Sequence, residues 1–163
     1  MRHAKTSWKH PELTDYDRPL NKRGKRDAPR MAKLLQEEGL TPDMILSSPT
    51  LRTRDTATIV AKYSGYRGQI SLIPSLYMAD PEEYVKALHN LPDDFKQVLI
   101  VGHNPGIAEL VELLTMKAEE MPTAAIAYVK LSITNWSSLD SKTKGDLVTV
   151  WLPKELDKDQ IWR

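Results

Sequence analysis

Apolar residues recur along this chain with two alternating periods. Ala28, Met31, Ala32 and Leu35 fall at helical spacing, and Gly39 supplies a stop signal after them. Pro29 lies inside that stripe. An interior proline removes a backbone hydrogen bond at a cost of about 3 kcal/mol, so this helix is expected to kink or to start late. Met44, Ile45 and Leu46 then read as a short buried strand, followed by a helix that carries Thr53, Thr56, Ala57 and Val60 on one face and ends at Gly65. Residues 70–73 read as a strand, and Tyr84, Leu88 and Leu91 mark a helix between Asp80 and Pro92. Val98, Leu99, Ile100 and Val101 form an unbroken apolar run, the pattern of a parallel strand covered on both faces. After it, Ile107, Leu110, Val111 and Leu114 repeat as one buried helical stripe. Residues 125–133 and 147–152 read as two strands joined by the polar stretch 134–146, which predicts a hairpin.

Strands alternating with helices predict a three-layer α/β fold: a mostly parallel central sheet with helices on both faces, closed by a C-terminal antiparallel hairpin. At 163 residues the chain suits one domain, 1–163, with a core of its own. Hydrophobic residues at 40% and charged residues at 28% are ordinary for a globular protein. The 23 basic and 22 acidic residues leave a formal charge of +1, so no global field draws the chain to nucleic acid or to an anionic membrane, and any basic site must be local. The absence of cysteine excludes a disulfide framework, a thiolate nucleophile and cysteine-ligated zinc. With no signal-peptide pattern and no long apolar run, the expected location is the cytoplasm.

Ligands in such sheets bind beyond the carboxyl ends of the strands, and two stretches fall there with one grammar of strand, cap, proline and helix. In "LSSPTLRTRDTA" Ser48 reads as the cap and Pro49 as the first helical residue, which puts Arg52 in the opening turn. A cation there opposes the helix dipole by roughly 0.3 to 1 kcal/mol, a mismatch that an anion bound beside it removes. In "LIVGHNPGIAEL" Asn104 reads as the cap and Pro105 as the first helical residue, leaving His103 at the strand tip. Taken singly, His103 reads as a hydrogen-bonded structural residue and Arg52 as solvated or paired with Asp55. Two basic groups at equivalent points of one sheet, together with Arg2 and His3 near the end of a first strand, instead point to a convergent cationic pocket.

"RHAK" at 2–5, "DYDRPLNKRGKRDA" at 15–28, "LSSPTLRTRDTA" at 46–57 and "VGHNPG" at 101–106, in that order and spacing, resemble the histidine phosphatase superfamily, and in particular its small bacterial phosphohistidine phosphatases of the SixA type. The resemblance covers nearly the whole chain. It implies a phosphoglycerate mutase-like fold with His3 as nucleophile and with Arg2, Arg52 and His103 around the transferring phosphoryl group. Phosphoryl transfer asks a protein for an in-line nucleophile and fixed positive charge at the equatorial oxygens, and guanidinium groups meet the second need because they stay ionised and present a planar fork of donors. His3 must be neutral, with its other ring nitrogen donating to a fixed acceptor that the sequence does not reveal. His103 is expected to donate to phosphoryl oxygens. No metal or other cofactor is implied, and His10 and His89 read as surface residues.

A general acid, where relatives in this superfamily use one, falls in "SLYMADPEEY", with Asp80, Glu82 and Glu83 as candidates. The same three residues fit a helix start, with Asp80 as cap, Pro81 first and acids in the opening turn. Without an acid the enzyme is expected to favour a leaving group that departs easily, as a phosphorylated imidazole does. Lys5, Trp8 and Arg18 flank the motifs and read as solvated or packing residues. The chain departs from the resemblance in that only Met1 precedes Arg2, where relatives carry several apolar residues of a central strand. Either the numbering starts late or that strand is missing, which would leave His3 on a loose end. Three functions follow: a phosphatase acting on phosphohistidine in proteins, a phosphatase or mutase for small phosphate esters, or a phosphate-binding module without activity.

Overall fold

A computed structural model describes residues 1–159 of the chain. The elements in order are α1 (Lys22–Glu37), β1 (Met44–Ser47), α2 (Leu51–Ser64), β2 (Ile70–Leu72), α3 (Pro81–His89), β3 (Val98–Val101), α4 (Gly106–Thr115), β4 (Ile126–Leu131), β5 (Gly145–Trp151) and α5 (Pro153–Asp159). Three strands form a parallel sheet in the order β2-β1-β3, and β4 and β5 form an antiparallel hairpin. Alternation along β1 explains the layers. Ile45 packs with residues of α1 and α2, including Met31, Leu35 and Val60, whereas Leu46 packs with residues of α3 and α4, including Tyr84, Leu110 and Leu114.

The amino end joins the two sheets. The Met1 backbone nitrogen donates to the Ile100 carbonyl at 2.8 Å, Gly102 N–H to the Met1 carbonyl at 3.1 Å, and His3 N–H to the Gly102 carbonyl at 3.1 Å. On the other side Arg2 N–H donates to the Ala125 carbonyl at 3.1 Å, and Ala124 N–H to the His3 carbonyl at 3.0 Å. His3 is therefore not on a loose end, as only one preceding residue led one to expect. Bonds on both sides hold this segment, and Met1 at 6% exposure is part of the core. Behind Met1, between β3 and β4, lies an apolar hollow of about 460 Å³ walled by Val98, Leu99, Ile100, Ala127 and Val129.

Helix α1 corrects the expectation of a late start. The Asn21 side-chain oxygen accepts from Gly24 N–H at 2.9 Å, the helix begins at Lys22, and Pro29 lies in its interior. Burial of Met31 and Leu35, at about 1.5–3 kcal/mol each, outweighs the proline's cost of about 3 kcal/mol. Helix α2 begins at Leu51, not Pro49, because Ser48 makes no cap and Thr50 takes the cap position. Helix α4 likewise begins at Gly106, and Asn104 directs its amide to the Met121 carbonyl at 2.8 Å. Helix α5 and three 3₁₀ turns, among them Asp15–Asp17, carried no signal in the apolar pattern.

Candidate active site

The carboxyl ends of the amino-terminal segment, β1 and β3 converge on one polar cavity of about 370 Å³. Close approach of backbone builds it. A Cβ on Gly102 would run into the Tyr84 ring, and one on Gly106 into the Ala79 carbonyl, so glycine at both positions lets "VGHNPG" turn tightly over α3. The Tyr84 hydroxyl then accepts from His103 N–H at 3.2 Å.

His3 is 8% exposed, and its Nδ1 lies 2.8 Å from the Ala4 carbonyl. A carbonyl only accepts, so Nδ1 carries the proton and Nε2 is bare. This is the acceptor that sequence alone left unnamed. Desolvation by burial, partly countered by that hydrogen bond and aided by Arg52 and Arg2, lowers the imidazole pKa from 6.5 to about 4. The His103 ring lies 5.4 Å away, centroid to centroid. Its pKa falls to about 3, through burial first, then the Arg52 charge and His3. Both rings are neutral near pH 7.

Two guanidinium groups share the cavity. Arg52, 6% exposed, donates from Nη1 to the Asp15 carbonyl at 2.6 Å and from Nη2 to Asp15 Oδ2 at 3.1 Å. Its carboxylate partner is thus Asp15, from a distant 3₁₀ turn, and not the adjacent Asp55. Arg2 donates from Nη1 to the Met121 carbonyl at 3.3 Å, while its buried Nε has no protein partner. Burial and then the Arg52 charge lower the Arg2 pKa. Two like charges and an orphaned buried donor form a site that is electrostatically incomplete without an anion.

Asp15 and Tyr77 complete the walls and were missed. The Tyr77 hydroxyl donates to Asp15 Oδ2 at 2.7 Å. Partial burial pushes the Asp15 carboxyl up, but the Tyr77 hydrogen bond and the Arg52 charge outweigh it and hold the pKa below its ordinary value. The bond to Asp15 raises the Tyr77 phenol in turn. The only available signal was position: Asp15 opens one of the four motifs, and Tyr77 precedes Asp80 in "SLYMADPEEY".

The structure brings Arg2, His3, Arg52 and His103 together, as expected, and leaves Asp80, Glu82 and Glu83 outside: none of the three lines the cavity. Asp80 stands exposed at the cap position of α3, with both glutamates in its first turn. Lys5 and Trp8, read as surface or packing residues, do line the cavity, and the Arg18 guanidinium stacks 3.6 Å over the Trp8 ring. His10 pairs with Glu12 at 3.4 Å and His89 faces the Leu139 carbonyl at 2.9 Å, both away from the site. Among the described residues no group of three or more His, Cys, Asp or Glu side chains converges, and no helix is long and apolar enough to cross a membrane.

A three-layer α/β fold with two facing imidazoles and two guanidinium groups at the carboxyl edge of its sheet defines a class of oxyanion-binding sites. The family profile for the histidine phosphatase superfamily (branch 1) matches residues 1–76. The chain belongs to the histidine phosphatase superfamily, and its structure is of the SixA type. It is similar to an uncharacterised chloroplastic protein of Arabidopsis thaliana, 31% identical over 146 residues that span 83% of this chain and 66% of that protein. The structure of the protein histidine phosphatase SixA complexed with tungstate superposes with a TM-score of 0.82 at 25% identity, covering 96% of each chain. The α-ribazole phosphatase from Shigella flexneri shares the fold, with a TM-score of 0.69 at 17% identity over 94% of this chain and 95% of that one.

Proposed function

We propose that the protein is a metal-independent phosphatase that hydrolyses phosphohistidine in proteins through a phosphorylated intermediate on His3. The observation that carries this reading is the bare Nε2 of His3, left so by the Nδ1–H bond to the Ala4 carbonyl, in a cavity with Arg2 and Arg52. A neutral imidazole nitrogen is a competent nucleophile, and burial keeps it neutral. In the first step Nε2 forms a bond to phosphorus as the bond to the leaving group breaks, while the guanidinium groups neutralise charge on the equatorial oxygens. In the second, water attacks the phosphorus on His3, releasing inorganic phosphate and returning His3 to its neutral form.

The choice of substrate rests on what the cavity lacks. The only carboxylate lining it among the described residues, Asp15, is held ionised by Tyr77 and Arg52, and Asp80, Glu82 and Glu83 lie outside. Among the described residues, no protonated carboxyl lines the cavity to serve a leaving oxygen. An imidazole whose second ring nitrogen already bears a proton departs neutral and needs none. The similar SixA protein is complexed with tungstate, an oxyanion, which supports an oxyanion ligand for this chain.

The test is to incubate the protein with EDTA and compare a phosphohistidine protein, a chromogenic aryl phosphate and a sugar phosphate, with His3→Ala alongside. The phosphohistidine protein should turn over fastest, with chelator present, and His3→Ala should be inactive. Better turnover of the sugar phosphate marks a phosphatase or mutase for small esters. Phosphate binding without turnover of any substrate marks a binding module.

A further inference from the structure

His103 has a different neighbour at each ring nitrogen. Nε2 lies 2.8 Å from Ser48 Oγ, and Nδ1 lies 3.3 Å from Arg52 Nη2. A guanidinium has no acceptor, so Nδ1 presents its lone pair to Arg52, and the ring proton belongs on Nε2, where Ser48 Oγ accepts it. His3 is the reverse case, with its proton on Nδ1 and Nε2 bare. The two facing rings therefore hold opposite tautomers, each set by one oxygen behind it: a backbone carbonyl for His3, a side-chain hydroxyl for His103.

Ser48 is built to hold that position. It is fully buried, its N–H donates to the Val101 carbonyl at 3.1 Å, and its own carbonyl accepts from Ser47 Oγ at 2.8 Å and Thr53 Oγ1 at 2.6 Å. The turn from β1 into α2 is thus pinned on three sides while the hydroxyl faces His103. This use of the hydroxyl also explains why Ser48 does not cap the helix.

We propose that Ser48 is a positioning residue for His103, keeping the first ring proton on Nε2 so that Nδ1, next to Arg52, is the atom that receives a second proton when a phosphoryl group enters. This rests on the phosphatase reading above. An incoming phosphoryl monoanion draws Arg52 to its oxygens and passes its P–O–H proton to Nδ1. The products are a phosphoryl dianion and an imidazolium whose Nδ1–H donates back to it, with no other reactant and no change in total charge. Removal of the Ser48 hydroxyl frees the ring to take either tautomer and to turn, and half of this arrangement is lost.

The experiment is ring-nitrogen NMR of ¹⁵N-labelled protein, read with steady-state kinetics. In the unliganded wild type at pH 7, His103 should show a protonated Nε2 and a bare Nδ1, and inorganic phosphate should add a proton at Nδ1. Ser48→Ala should give mixed tautomers and a kcat lowered about tenfold, the worth of one hydrogen bond to a neutral partner, with KM changed less than about threefold. Ser48→Thr, which restores a hydroxyl, should recover the single tautomer. A wild-type His103 protonated on Nδ1 before phosphate is added, or a tautomer indifferent to Ser48→Ala, overturns the proposal. The wild-type spectrum decides it even if a variant fails to fold. If no phosphate substrate is turned over, the phosphatase reading falls while the spectra still judge the role of Ser48.

Discussion

Two hollows open at opposite ends of the seam where the amino-terminal segment meets β3. The larger, about 460 Å³, lies behind Met1 and is walled by side chains such as Val98, Leu99, Ile100 and Val129. The smaller, about 370 Å³, lies in front of Met1 and holds both facing histidines, Arg2, Arg52 and Asp15. Volume alone would choose the wrong one. What makes the smaller hollow a site is that polar groups converge on it while their charges go unbalanced: two arginines, one orphaned Nε, and two imidazoles with strongly lowered pKa values.

The sharpest break of this contrast is His3→Ala, which should lower turnover at least ~10³-fold by removing the proposed nucleophile, whereas Val129→Ala in the apolar hollow should leave turnover unchanged. Equal losses from both would end the assignment. Arg52→Ala should cost about 10²–10³-fold in kcat, the scale of losing a preorganised donor to the reacting oxygens, as read by single-turnover rates.

The two buried histidines also set a pH dependence of stability. Their folded pKa values, about 4 and about 3, lie below the ordinary 6.5, so below pH 6.5 the unfolded chain binds protons that the folded chain refuses. The contribution of the two rings is therefore full above pH 6.5 and is lost as pH falls, towards 4 for His3 and towards 3 for His103, with a slope of at most ~1.4 kcal/mol per pH unit for each. Denaturation midpoints at pH 7.5, 5.5 and 4.5 should fall accordingly, and less steeply in His103→Gln.

Smaller effects sharpen the contrast further. Asp15 offers Arg52 a carboxylate where a phosphoryl oxygen would bind, so Asp15→Asn should tighten inorganic phosphate binding by roughly three- to tenfold in calorimetry; weaker binding would show that Asp15 serves to hold Arg52 in place. In the apolar hollow, Ala127→Leu should raise stability by about 1 kcal/mol by filling space, with turnover unaltered.

Periodicity was enough to place every strand from β1 to β5 and helices α1 to α4, because each buries one stripe or one face and the apolar spacing records that burial directly. Two of the boundaries it misjudged, at Ser48–Pro49 and Asn104–Pro105, are ones where a polar side chain serves the site or a distant carbonyl instead of capping its own helix. Arg2, His3, Arg52 and His103 were legible because two strand-to-helix turns share one grammar and four motifs occur in order. Asp15 and Tyr77 were not: Asp15 lies in one 3₁₀ turn and Tyr77 just after another, and they gain their meaning only from the bonds of Asp15 to Arg52, 37 residues along the chain, and of Tyr77 to Asp15. The tautomers of the two histidines were equally hidden, since each depends on which oxygen lies behind the ring. Apolar spacing and the four motifs were sufficient for the order of elements, the core stripes and the four cationic or imidazole side chains. How Met1–His3 is held between the sheets, which carboxylate faces the cavity and which ring nitrogen is bare emerge from the folded chain alone, because hydrogen bonds across long chain separations leave no periodic trace.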